Sequence, residues 1–251
     1  KGVNEKGGLA CHDPHRGKFK FQLRKDLPDL CLECHRSINE TIKTSTVAHA
    51  AVTTEKKCVN CHNPHGSNVP KILNAKEKIL CLGCHNKPMD TPNGPIIDMK
   101  SWIEDNPERH GPVRDDNCTG CHQPHGSKNF RILQYAFPRE FYRPFSLETY
   151  ALCFNCHEKT IVLDERTTTL TDFRNGDKNL HYVHVNQEKG RTCRACHEIH
   201  AGTKPKRIKD FVPFGKWKYP VNFEKTENGG RCAPGCHVER AYDRRREITQ
   251  K

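Results

Sequence analysis

The sequence predicts a chain that is mostly coil, with short α-helices and little β-structure, and a core that is not built from aliphatic side chains. Three observations predict this. Only 34% of the 251 residues are hydrophobic and the mean hydropathy is −0.86, a balance that in an ordinary chain of this length gives a poor core or disorder. Fifteen cysteines are present, and fourteen of them fall into seven copies of one short motif. The motif recurs in pairs, four times along the chain, with polar connectors between the pairs.

The copies read Cys31-Leu-Glu-Cys34-His35, Cys58-Val-Asn-Cys61-His62, Cys81-Leu-Gly-Cys84-His85, Cys118-Thr-Gly-Cys121-His122, Cys153-Phe-Asn-Cys156-His157, Cys193-Arg-Ala-Cys196-His197 and a stretched Cys232-Ala-Pro-Gly-Cys236-His237. An eighth, Gly8-Leu-Ala-Cys11-His12, has glycine at its first cysteine position. Two thiols one helical turn apart can add to the two vinyl groups on one edge of a porphyrin, and the next residue then presents an imidazole to the iron. A Cys-x-x-Cys pair by itself also serves zinc ribbons and thioredoxin-like redox sites, and a cysteine-rich exported chain can be a disulfide scaffold. None of these needs histidine directly after the second cysteine, and all seven full motifs carry it. The expected cofactor is haem c, covalently bound, about eight copies at about 31 residues each, so that apolar porphyrin discs in a stacked chain supply the missing core.

Each pair opens on a longer consensus: Cys11-His12-Asp-Pro-His15, Cys61-His62-Asn-Pro-His65, Cys121-His122-Gln-Pro-His125 and Cys196-His197-Glu-Ile-His200. The second motif begins 20 residues on in the first two pairs, then 32 and 36 residues on in the last two. These spacings predict one haem-packed unit over 1–251 made of four two-haem repeats, at 1–40, 41–90, 105–160 and 178–240. The insertions around Phe137–Phe145 and Phe211–Tyr219 are rich in Phe, Tyr and Pro and read as loops covering haem faces. The motifs are expected on short helical turns, a fuller helix over Leu147–Val162 and a charged terminal helix over Val238–Gln250; the connector Asn86–Pro107 predicts no separate fold.

Eight haems held by two imidazoles each need sixteen histidines, and the chain has sixteen. The proximal ligands are His12, His35, His62, His85, His122, His157, His197 and His237; the candidate distal ligands are His15, His49, His65, His110, His125, His181, His184 and His200. His15, His65, His125 and His200 lie three residues past a proximal histidine on the same side of a turn, so each must reach a neighbouring haem. His49, His110 and His184 precede the first cysteine of repeats two, three and four by nine, eight and nine residues. His181 is left over, and repeat one has no upstream counterpart. The haem at Cys11 is therefore expected to hang by one thioether and to take its second ligand from His181, from residues further N-terminal or from another subunit; a degenerate site without haem is the alternative. Met89 and Met99 do not fit the repeat.

The formal charge of +12 would ordinarily suggest a nucleic acid or anionic membrane partner, but the cofactor charge is counted first. Eight ferric haems with ionised propionates bring the holoprotein to about +4, and ferrous ones to about −4. Most of the Lys and Arg thus read as solvated or propionate-facing, and no nucleic acid partner is expected. No apolar stretch approaches the roughly 20 residues that span a bilayer. Haem attachment of this type follows export, so a cleaved signal and a periplasmic, outer-membrane-associated or extracellular location are expected.

The CxxCHxPHG motif, a spacer and a second CxxCH resemble the doubled-CxxCH multihaem cytochromes c of metal-reducing and other anaerobically respiring bacteria, over the whole chain. The resemblance implies bis-histidine haems in a close-packed chain that passes electrons end to end. In size and haem count the chain is similar to the octahaem subunits of porin-cytochrome conduits and to subunits of extracellular cytochrome filaments. It implies redox proteins or terminal acceptors as partners, with an outer-membrane porin or further copies of the chain as further ones. It departs from the pattern at Gly8, at the extra residue between Cys232 and Cys236, and at Glu198-Ile199. The expected function is electron transfer without catalysis. The alternative is a multihaem reductase, which needs an iron with an open position; the histidine count fills every site and no CxxCK motif occurs.

Overall fold

The computed structural model describes residues 7–54 and 56–249. Helices are short: α1 Asp29–Leu32, α2 Arg36–Thr44, α3 Glu77–Leu82, α4 Met99–Asp105, α5 Gly111–Arg114, α6 Ala151–Phe154, α7 Thr160–Leu163, α8 Leu180–Val185 and α9 Cys193–Cys196. The strands are as short and pair only antiparallel. β1 (Glu108–Arg109) pairs with β4 (Ala201–Gly202), β2 (Arg174–Asn175) with β3 (Lys178–Asn179), and β5 (Phe211–Phe214) with β6 (Trp217–Pro220). β7 (Phe223–Lys225), β8 (Gly229–Cys232) and β9 (Arg240–Asp243) form a three-stranded sheet. The rest is coil and single 3₁₀ turns, as the fold class predicts.

The chain divides into two compact units. One comprises Lys1–Cys84 and Cys118–Gln134, the other His85–Asn117 and Tyr135–Lys251. Their limits do not follow the repeats, because the Cys118–Gln134 segment returns to the first unit. There Val47 and Ser127 exchange backbone hydrogen bonds of 2.8 and 3.0 Å, and the Glu77 carboxylate accepts from the Thr119 backbone N–H at 2.5 Å and its hydroxyl at 3.0 Å.

In the second unit the largest apolar cluster is Tyr150, Val162 and Val185, with Phe145, Phe154, Ile161 and Cys193 packed against it. Tyr150 is fully buried, yet its hydroxyl has no hydrogen-bond partner. Among the described residues only ten hydrophobic side chains are buried: Leu82, Ile103, Leu133, Tyr150, Val162, Val185, Ala195, Ala201, Val212 and Val221. The polypeptide exposes 16834 Å², against about 11,000 Å² for a folded chain of this mass. Protein atoms alone therefore leave much of the chain's interior surface uncovered.

Three sequence expectations are corrected. Leu147–Val162 is not one helix but α6 and α7, because the motif turn at Cys153–His157 closes with a hydrogen bond from the His157 N–H to the Cys153 carbonyl (3.0 Å) and the chain then leaves the axis. The Phe211–Tyr219 insertion is a hairpin rather than a loop, turning at Gly215 with φ 58°. Val238–Gln250 is not a helix: its described residues hold β9, and Asn175 pins the following chain, its side-chain amide donating to the Ile248 carbonyl (2.8 Å) and its oxygen accepting from the Ile248 N–H (2.8 Å). Backbone pairing with β8 outcompetes the helical preference of the charged tail. Lys1–Lys6 of the first repeat and Gln250 lie outside the described residues.

Candidate haem-binding sites

Each motif is a single turn. The N–H of the proximal histidine donates to the carbonyl of the first motif position: His35 to Cys31 (3.0 Å), His62 to Cys58 (3.0 Å), His122 to Cys118 (3.1 Å), His197 to Cys193 (3.0 Å). The degenerate copy does the same, His12 to Gly8 at 2.8 Å. Loss of the first cysteine has left the turn intact, and a Cβ at Gly8 would meet nothing within 4 Å. The stretched copy differs: the His237 N–H donates to Pro234 (3.2 Å), and a Cβ at Gly235 would lie 2.1 Å from the Tyr219 ring, so a side chain at 235 would displace that ring. None of the fifteen cysteines pairs with another in a disulfide.

A second device, missed in the sequence, holds the proximal histidine of the first motif in all four repeats. Nine residues on, a backbone carbonyl accepts the Nδ1–H of the imidazole: Phe21 from His12 (2.8 Å), Lys71 from His62 (2.9 Å), Arg131 from His122 (3.1 Å) and Lys206 from His197 (2.9 Å). That residue and the next are left-handed, with φ of 61° and 55° at Phe21 and Gln22, 59° and 51° at Lys71 and Ile72, 56° and 53° at Arg131 and Ile132, and 57° and 56° at Lys206 and Arg207. Consecutive left-handed non-glycine residues are costly. The cost is offset by backbone ties on both sides. In repeat two the Asn63 N–H donates to Ile72 (2.8 Å) and the Asn74 N–H to Cys61 (2.8 Å), and the other three repeats have the same pair. An Nδ1–H committed to a carbonyl fixes the tautomer and leaves Nε2 for a metal. The signal in sequence was the recurring Lys-Phe-Gln-Leu23, Pro-Lys-Ile-Leu73, Phe-Arg-Ile-Leu133 and Pro-Lys-Arg-Ile208.

The histidines come together in facing pairs. His12 and His65 have ring centroids 6.0 Å apart and planes 19° from parallel; His62 and His125, 6.2 Å and 12°; His110 and His157, 5.9 Å and 3°; His181 and His197, 6.4 Å and 19°. Two imidazoles on opposite sides of one iron, each with a metal–nitrogen bond of about 2.0 Å and about 1.1 Å from ring nitrogen to ring centre, have centroids about 6.2 Å apart. The four pairs match that spacing, and each joins one proximal to one distal candidate. His181 thus stands opposite His197 rather than His12, and His12 has its partner in His65. At four of these rings burial favours the neutral form, the one that binds a metal: His110 and His181 are both held down to about 4, burial being the main cause and nearby cationic groups the lesser one. Burial likewise lowers His125 and His197.

The distal rings are aimed by partners that the sequence did not indicate. His181 shares a hydrogen bond with the Thr171 hydroxyl (3.0 Å), and His49 Nδ1 donates to the Pro124 carbonyl (2.8 Å). Asn179, fully buried, caps α8: its oxygen accepts from the His181 and Tyr182 N–H groups, and its amide donates to the Ile161 and Asp164 carbonyls. The helix carrying His181 and His184 is thereby anchored to α7.

Three contacts join successive repeats. The side chains of Cys31 and Cys58, of Cys81 and Cys118, and of Cys153 and Cys193 lie side by side. In each case the second motif of one repeat meets the first motif of the next.

Residues 1–40, 49–90 and 110–161 match the family model described as the doubled CXXCH motif. The fourth repeat lies outside the match, although its His197 carries the same carbonyl clamp as the others. No curated protein sequence matches the chain. Among the described residues no helix is long and apolar enough to cross a membrane.

Proposed function

This chain belongs to the doubled CXXCH motif family and is a multihaem c-type cytochrome of electron transfer, and from that premise we propose that it moves electrons along about eight haems, each held by two histidines. The observation that carries this reading is the spacing of the four imidazole pairs, 5.9 to 6.4 Å. The motif thiols hold each haem by its edge, Cys11 alone doing so in the first copy. When bound, the irons supply one-electron chemistry. The chain's residues do the rest: carbonyls of Phe21, Lys71, Arg131 and Lys206 keep four proximal imidazoles in one tautomer and raise their basicity, which favours the ferric state and low potential.

Continuity comes from two junctions. The turn His62–His65 carries the proximal ligand of one iron and the ligand that faces His12, so one turn spans two irons. The thiol contacts at Cys31–Cys58, Cys81–Cys118 and Cys153–Cys193 bring further sites side by side. Together with the uncovered surface, these support a core formed by the haem chain. The protein has no substrate of its own in this reading; it serves outer-membrane or extracellular electron transport, as a subunit of a porin-bound conduit or of a cytochrome filament, exchanging electrons with redox proteins or terminal acceptors.

Electron paramagnetic resonance of the oxidised holoprotein, with and without cyanide, tests the absence of catalysis. Low-spin signals that cyanide leaves unchanged are expected from the sites with facing pairs. High-spin, cyanide-binding iron at any of those four pairs would sink the closed-site reading and point to a reductase.

A further inference from the structure

We propose that the arginines gathered where the third and fourth repeats meet form a docking surface for an acidic one-electron redox protein, which exchanges electrons there with the haems at Cys153 and Cys193. The proposal rests on the electron-transfer reading and names the kind of partner that reading requires.

Two stretches far apart in sequence build the surface, both within the second compact unit. One is the insertion of the third repeat, with Arg139 and Arg143; the other runs into the first motif of the fourth repeat, with Lys189, Arg191 and Arg194. Hydrogen bonds lay them side by side. The Arg143 N–H donates to the Gly190 carbonyl (2.9 Å), the Thr192 N–H to Phe141 (3.1 Å), the Thr192 hydroxyl to Glu140 (2.9 Å) and the Arg194 guanidinium to Arg139 (3.1 Å). Thr192 is buried in this seam, whereas Arg139 and Arg143 are exposed and Arg191 and Arg194 half-buried. The acids of the two stretches are Glu140 and Glu188, and Glu140 already pairs with Arg143 at 3.0 Å. The surface is therefore strongly positive.

Its place on the haem sites decides what that charge is for. Arg194 stands between Cys193 and Cys196, inside the motif turn. Phe145, which ends the other stretch, packs against Tyr150 and Phe154 with ring centroids 5.4 and 6.2 Å apart, and Phe154 is the residue next to Cys153. Cys193 packs against the same cluster. Thioethers form on the vinyl edge of a porphyrin, and the propionates leave from the opposite edge. Haems attached at these two turns carry their own carboxylates away from the arginines, whose charge is left for another molecule. Shape adds to charge: beside Arg143 opens a cavity of about 360 Å³ whose lining includes Tyr142, Phe145 and Thr149, and the Arg191 guanidinium lies 5.7 Å over the Tyr142 ring. Arginine and tyrosine around a concavity are the residues that anchor interfaces, and opposite charge on the partner steers the encounter.

The test is stopped-flow reduction of the oxidised holoprotein by flavodoxin hydroquinone, an acidic donor protein, at several salt concentrations. In each event the anionic hydroquinone gives up one electron and becomes the neutral semiquinone, and one ferric haem becomes ferrous. The wild-type rate constant is expected to fall steeply with salt. Arg139→Gln/Arg143→Gln/Arg194→Gln should react about tenfold more slowly at low salt and lose most of the salt dependence. Lys18→Gln/Lys43→Gln/Lys128→Gln, which removes the same charge from exposed lysines of the other unit, should stay within about twofold of wild type. The methyl viologen radical, a small cation, should reduce all three proteins at rates no slower than wild type. Should the arginine variant shift the haem potentials or spin states, Arg139→Gln/Arg143→Gln, both outside the motif, decides the same comparison. An arginine variant as fast as wild type with flavodoxin, or a lysine variant slowed equally, overturns the docking surface. A wild type that neither donor reduces overturns it together with the electron-transfer reading, whereas failure of the surface alone leaves reduction by viologen intact.

Discussion

At the scale of single residues, the first motif shows which parts of a CxxCH site are separable. Gly8 replaces a cysteine, yet the His12 N–H still closes the turn on its carbonyl, His12 is still clamped by Phe21, and His65 still faces it. Ligation and attachment are thus independent demands, the first met by backbone geometry and the second by sulfur. Gly8 has an ordinary φ and open space at its Cβ position, so Gly8→Cys is expected to add a second thioether without loss of stability. The pyridine haemochrome band should shift toward the two-thioether position for about one haem in eight, with no free thiol gained on alkylation. Cys11→Ala should lower the denatured mass by one haem; an unchanged mass would mean that this motif carries none.

The informative element is the clamp turn, repeated four times with two consecutive left-handed residues. In all four copies the carbonyl meets the proximal imidazole in that conformation, at a strain of about 1–2 kcal/mol per residue. Proline fixes φ near about −65°, whereas Lys71 has φ 59°. Lys71→Pro should therefore destabilise the holoprotein by about 1–3 kcal/mol and raise the potential of the haem at Cys58 and Cys61, because His62 loses its acceptor. Lys71→Gly, which relieves that strain, should leave the potential unchanged and stability equal or higher. Thermal unfolding and a spectroelectrochemical titration check the pair; equal behaviour of the two variants would refute the clamp. The same competition between local preference and backbone pairing explains the tail, where β8 and Asn175 hold an extended strand in a charged segment that reads as helix.

For the molecule as a whole, the decisive quantity is the surface that protein atoms leave open. Ten buried hydrophobic side chains among the described residues cannot by themselves order a chain of 251. The apo chain, produced without haem attachment, is therefore expected to show little proton chemical-shift dispersion and rapid proteolysis, and the holoprotein to resist both. A folded, protease-resistant apo chain would contradict a cofactor-built core. Tyr150 is consistent with that view, since a hydroxyl buried without a partner in the second unit needs a polar group from outside the polypeptide.

Much was legible without coordinates. The cysteine and histidine spacings set out the haem c cofactor, the candidate attachment and ligand positions and the mostly coil architecture, because thioether formation and axial ligation are demands on adjacent residues, and adjacent residues are what a sequence displays. The repeat also placed His65 and His125 toward neighbouring sites. What the sequence left open was every choice between residues far apart: that His181 belongs opposite His197, that His65 rather than His181 meets His12, that Phe21 and its three counterparts lend their carbonyls, and that Asn175 captures the tail. Those depend on long-range closure of the backbone, where hydrogen bonds of similar strength compete and only the folded chain decides which are made.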